Sequence, residues 1–146
     1  MLDLARRAVP RAVVLAVGVI ALLSACTPLT DDEKFLFGAT NKLRADNRVA
    51  PVYEHEPLTA KARAWAQTLA AQGRLAHSDL RQLGVSWTAA AENVARAGSI
   101  QDAVSQLTGS ASHRTNMLNR AYLLTGVGTA RAKDGSVYAV QVFIRS

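Results

Sequence analysis

The chain has 146 residues, of which roughly the first 25 read as an export signal, so the folded product of about 121 residues is one domain. Lys and Arg number 17 against 11 Asp and Glu, a net +6; without Arg6, Arg7, Arg11 and Asp3 of the signal the product carries +4, too little to mark a nucleic-acid-binding surface. An apolar share of 49% with 19% charged excludes a disordered chain, and a single cysteine, Cys26, excludes both an intramolecular disulfide and a Cys-ligated zinc cluster.

In chain order, Arg6, Arg7 and Arg11 precede the uncharged run from Ala12 to Ala25, the basic-then-apolar order of a secretory signal. The run is shorter than the roughly 20 residues a spanning helix needs. It ends in Leu23-Ser24-Ala25-Cys26, which resembles the lipobox of bacterial lipoproteins. That resemblance implies cleavage before Cys26 and acylation of the cysteine, which several acyl chains make a stable anchor. The alternative is a plain secretory signal cleaved near Ala25, leaving a free thiol. The division expected is a signal over 1–25, a lipidated tether over 26–31 and a domain over 32–146.

Thr30-Asp31-Asp32-Glu33 fits a capping box and starts a helix with Leu36, Ala39 and Leu43 on one face, running to about Asn47. Arg48 to Pro57 holds two prolines and reads as extended or turning. Leu58 to Gln72 is helical, with Leu58, Ala62, Trp65, Ala66, Leu69 and Ala70 on the apolar face and Gly73 as its stop. Arg74 to Ala91 is a linking region with a turn near Gly84, and Glu92 to Ala95 a short strand. Ser99 caps a third helix to about Gly109, and Ser112 a short fourth one from His113 to Asn119. Gly126–Ala132 and Ser136–Ile144 form two strands around the hairpin signal Lys133-Asp134-Gly135. Both faces of the last strand are apolar, which puts it in the middle of a layered fold.

The histidines are His55, His77 and His113. His55, in Tyr53-Glu54-His55-Glu56-Pro57, reads as exposed loop without function. No HExxH, GxSxG or phosphate-loop pattern occurs, so the local signatures of metalloprotease, α/β-hydrolase and nucleotide binding are missing.

Seven short motifs do occur in order: Asn41-Lys42-Leu43-Arg44, Leu58 to Ala66, Leu75-Ala76-His77-Ser78, Ala91-Glu92-Asn93-Val94-Ala95, Ser110 to Leu118, Gly126-Val127-Gly128 and Tyr138 to Phe143. Together they resemble the CAP superfamily, or SCP domain, of cysteine-rich secretory proteins, venom antigens, plant pathogenesis-related proteins and bacterial exported proteins. The resemblance covers nearly all of 32–144. It implies an α+β fold, a three-layer α/β/α sandwich with a central antiparallel sheet, and a cleft of two His and two Glu. By position, His77 and His113 are the two His and Glu92 the first Glu. The second Glu has no counterpart: Leu107-Thr108-Gly109-Ser110 stands there. Ala91 also replaces a common Gly, and Ala111-Ser112 a frequent Pro-Gly.

Two imidazoles and a carboxylate suit Zn²⁺ with a fourth position for water, so His77, Glu92 and His113 form the candidate ligand set and a zinc-activated water would support hydrolysis. Without the second Glu no separate general base is evident, and catalysis ranks below binding. The alternative is a buried polar network in which the three tie sheet to helices. Asn41 and Arg44 read as helix-face residues bonding nearby loops, Arg114-Thr115-Asn116 as a brace, Trp65 as core and Trp87 as a loop anchor. The expected function is an exported, membrane-anchored module on the outer side of a bacterial membrane, binding a lipid, a sterol-like molecule or another envelope ligand. The rivals are a metal-dependent envelope hydrolase and a protein-interaction domain with a structural cleft.

Overall fold

The computed structural model describes residues 27–146; the signal expected over 1–25 and the acylation expected at Cys26 fall outside them. The order is α1 (Asp31–Asp46), β1 (Tyr53–Glu54), α2 (Glu56–Gln72), a 3-10 turn (Leu80–Gln82), β2 (Ala89–Ala97), α3 (Ile100–Gly109), α4 (Ala111–Leu118), β3 (Leu124–Arg131) and β4 (Val137–Arg145). The four strands lie in the order β1-β3-β4-β2. One core packs α1, α3 and α4 on one face of the sheet, and a second packs α2 and the 3-10 turn on the other. This is the expected three-layer sandwich, with β4 buried on both faces.

The capping box forms as the local sequence dictates: the Thr30 hydroxyl accepts the Glu33 amide and the Glu33 carboxylate accepts the Thr30 amide. Three boundaries and one strand direction differ from expectation. The second helix starts at Glu56, because Pro57 in a first turn has no N–H that needs a partner. β2 runs from Ala89 to Ala97, its alanines drawn into the strand by pairing with β4 along the whole length. The fourth helix starts at Ala111 after Ser110, with no side-chain cap. The sheet is mixed, since β1 runs parallel to β3 while the other pairs are antiparallel.

Two features fix the layers. Gly126 and Gly128 on β3 face α2, and a Cβ on them would lie 2.1 Å from the Leu58 carbonyl carbon and 2.2 Å from that of Ala62. Two strand residues and one helical turn advance by nearly the same distance, so the helix backbone rests directly on the strand at both points. On the other face Arg44 is buried with α1's Leu36 and Thr40. Its guanidinium donates to the carbonyls of Ala50 (2.6 Å), Met117 (2.7 Å), Asn119 (3.0 Å) and Tyr122 (3.2 Å), gathering the end of α4 and the following turn onto α1. Burial, with the charge of Arg120 behind it, lowers the Arg44 pKa from its ordinary value.

Candidate functional site

The site is built on two consecutive residues of β2. Successive strand side chains point to opposite faces, so Glu92 reaches the α2 side and Asn93 the α4 side.

Glu92 is buried, and both of its oxygens are engaged. Oε1 accepts from His77 Nδ1 at 2.8 Å and from the Ser78 amide at 2.9 Å, and Oε2 accepts the Ser78 hydroxyl at 2.5 Å. A carboxylate only accepts, so His77 Nδ1 carries the proton donated to Glu92, and Nε2 is the nitrogen turned away from it. The His77 side chain is 64% exposed against 2% for Glu92. The linking loop is thus clamped from below, and an imidazole of fixed orientation is held out to solvent.

Asn93 is fully buried and does the same for α4. Its amide nitrogen donates to the His113 carbonyl and to Gln141 Oε1, both at 3.1 Å, and its Oδ1 accepts from Asn116 at 2.8 Å. Gln141 in turn donates to the Thr40 hydroxyl at 2.6 Å, and Thr40 to the Leu36 carbonyl at 3.0 Å. The polar chain crosses from α4 through β2 and β4 to α1 with each member partnered. His113 Nδ1 is buried without a hydrogen-bond partner among the described residues. Burial first, and then the charge of His77, holds the His113 imidazole below its ordinary pKa.

The structure therefore joins His77 to Glu92 directly and attaches His113 through its backbone to the neighbouring Asn93. It gives no hydrogen bond between His113 and Glu92. As ligands the three are not arranged as one set: the Glu92 oxygens are turned to His77 and Ser78, and no three His, Cys, Asp or Glu among the described residues are grouped to hold a metal ion. His55, expected in an exposed loop, precedes α2, half-buried, with its amide donating to the Thr125 carbonyl. Trp65 is partly buried, its indole N–H on the Ala76 carbonyl at 3.0 Å. Asn41 bridges both backbone groups of Val52, and Arg114 braces the Thr108 carbonyl, as their positions suggested. Ser78, Asn93 and Gln141 are the members that sequence reasoning missed. All three lie inside motifs quoted above; the alternation along β2 and β4 is the signal that could have separated Asn93 and Gln141, and Ser78, in the loop, carried none.

The residues leading into α1 are also held. Arg63 of α2 forks onto Glu33 (2.8 and 2.7 Å) and donates to the carbonyls of Thr27 (3.2 Å) and Pro28 (2.9 Å). No helix among the described residues is long and apolar enough to cross a membrane.

Comparison with protein families matches residues 37–143 to the model described as CAP, the cysteine-rich secretory protein family. Comparison with curated protein sequences gives no match. Among solved structures the chain is similar to an outer surface protein from Borrelia burgdorferi, with a TM-score of 0.72 and 17% identity over 82% of this chain and 96% of that one. It is similar as well to an SCP-domain extracellular protein from Bacillus anthracis, with a TM-score of 0.67 and 23% identity over 82% of this chain and 45% of that one. A third is NaASP2, solved with Zn²⁺, with a TM-score of 0.63 and 12% identity over 79% of this chain and 80% of that one.

Proposed function

The chain belongs to the CAP family, and from that premise we propose that it is an exported, lipid-anchored module that binds an envelope ligand without transforming it. The observation that carries this is the state of Glu92: each of its oxygens accepts a hydrogen bond from the His77-Ser78 loop, so this buried carboxylate is committed to holding that loop in place. Acylation at Cys26 would place the anchor one residue before Thr27, whose carbonyl Arg63 holds. The outer-surface and extracellular relatives support an address outside the membrane.

Support for a lipid ligand comes from an open recess of about 360 Å³ on the outer face of α1. Phe35, 45% exposed, lies there with Gly38 and Ala39, and Lys34 and Lys42 flank it. An acyl chain would lie on the apolar strip, its carboxylate exchanging for Asp31 on Lys34 or Asp46 on Lys42, both exposed ion pairs. A second reading rests on the His77–Glu92 bond, since a carboxylate behind Nδ1 is the arrangement that orients a ligating imidazole. In it His77 and His113 would hold a divalent ion, with Glu92 behind His77 and not on the metal. Such an ion would supply Lewis acidity; NaASP2 was solved with Zn²⁺.

Thermal shift of the purified protein tests both. A ligand at 100 times its dissociation constant adds about 2.7 kcal/mol of stability. Palmitate should raise the midpoint in the parent and in His113→Ala and fail in Phe35→Asp, whereas zinc should lose its shift in His77→Ala and His113→Ala. No response to palmitate would remove the lipid reading, and no response to either palmitate or zinc would leave the interaction-domain rival.

A further inference from the structure

A second cavity, of about 180 Å³, opens on the α2 side of the sheet and contains neither histidine of the cleft. Lys61, Ala64, Trp65 and Thr68 recur at i, i+3, i+4 and i+7, so they form one wall from a single stripe of α2. The 3-10 turn supplies the opposite wall through Gln82 and Leu83, and Val142 and the buried Glu92 close the floor.

The chemistry narrows the ligand. Ligand pockets for drug-sized molecules run to about 300–1,000 Å³, so this one is sized for a single ring and not for a sterol. An acyl chain is disfavoured because hydroxyl, amide, ammonium and carboxylate groups interrupt the lining. An anion is disfavoured because two carboxylates, Glu92 and Asp79, line the cavity against the one ammonium of Lys61, and the nearby Arg81 is already forked onto Asp79 at 2.9 Å. What fits is a neutral ring with an apolar face for the indole and hydroxyls around its edge. Trp65 is preset for such stacking, because its N–H bond to the Ala76 carbonyl fixes the ring plane. Ala64, small and exposed beside it, leaves the space above the helix open.

We propose that this cavity is a saccharide subsite that takes one pyranose unit, plain or N-acetylated, with Trp65 as its platform and Lys61, Thr68 and Gln82 as partners of the ring substituents. The site goes beyond the lipid and metal readings above and shares with the cleft only Glu92 and Ser78.

The test is an NMR titration of the purified, ¹⁵N-tryptophan-labelled protein with N-acetylglucosamine. The Trp65 indole signal should move and saturate with a dissociation constant on the order of 1 mM, the scale that ligand efficiency allows for one ring. The Trp87 signal serves as an internal reference. Ala64→Leu, which fills the cavity from an exposed helix position, should weaken binding at least about tenfold, as a 1.4 kcal/mol loss would. Should that variant fail to fold, Lys61→Ala and Gln82→Ala at exposed positions should each weaken it several-fold. His113→Ala should leave the titration unchanged, which separates this site from the cleft. An absent or unsaturable shift, a shift that survives Ala64→Leu or is lost in His113→Ala, or a stronger response to decanoate or inorganic phosphate would overturn the proposal.

Discussion

Gly128→Ala is the sharpest test of how the layers are held. The added methyl would sit 2.2 Å from the Ala62 carbonyl carbon and the Arg63 amide nitrogen and 2.5 Å from the Ala62 oxygen, where ordinary contact is 3.4–4 Å. All three atoms are helix backbone, so no side chain can swing away. To restore contact α2 must rise by about 1.2 Å, which parts Leu58, Ala62, Ala66 and Leu69 from Val94, Tyr138, Val140 and Val142 on the sheet. Overpacking costs about 1–3 kcal/mol, and with rigid backbone on both sides the upper end applies. In a domain of this size that lowers Tm by about 10–15 °C. Thermal unfolding followed by far-UV circular dichroism measures it, with Gly38→Ala as the paired control. Gly38 lies inside α1 with nothing within 4 Å of a built Cβ, so alanine there should stabilise by about 0.5–1 kcal/mol. A Gly128→Ala protein melting within about 3 °C of the parent, or a Gly38→Ala protein as impaired as Gly128→Ala, would refute the direct helix-on-strand contact.

Arg44→Met should cost about 3–4 kcal/mol in urea unfolding, because four carbonyls lose their donor, and Arg44→Lys should not restore it, since one ammonium cannot span Ala50 to Tyr122. Asn93→Ala should cost about 2–3 kcal/mol, and hydrogen exchange should show α4 amides losing protection before those of α2. For Glu33, burial pushes the carboxyl up, but the Arg63 guanidinium and Thr30 outweigh it and hold it below its ordinary pKa. Its contribution is therefore present above the unfolded value and is lost as pH falls through the folded one. Urea midpoints measured from pH 7 to about pH 3 should fall less steeply in Glu33→Gln than in the parent.

What can be read from the sequence is mostly what is local. The capping box at Thr30, the Ser99 cap, the Asp134-Gly135 turn and the double-sided burial of β4 follow from residues a few positions apart, and all four are present. The stripe of α1 is legible only in part. Glu33, Leu36, Thr40 and Arg44 lie at i, i+3, i+7 and i+11, and all four are buried. Three of them are polar, so a hydrophobicity pattern passes over the face that the fold buries. β2 shows a related limit, because alanines carry little strand preference and only the partner strand reveals their pairing. Glu92 and His77 can be picked out by motif, but a list of ligand types does not show which way a carboxylate turns. Its orientation depends on Ser78, fourteen residues away, whose hydroxyl and amide both reach it.

The pairing of Glu92 with Val142 and of Asn93 with Gln141 has a consequence for folding fidelity. A slip of β2 by one residue would exchange the two side chains between faces. It would drive a carboxylate toward Gln141 and the α4 carbonyls, and present an amide to the His77-Ser78 loop. The alanines on either side would scarcely register such an error, since Ala90, Ala91 and Ala95 are interchangeable in volume. The two polar residues therefore act as the strand's alignment mark: a misthreaded chain would leave unmatched polar groups in both layers at once, and only the native pairing satisfies both.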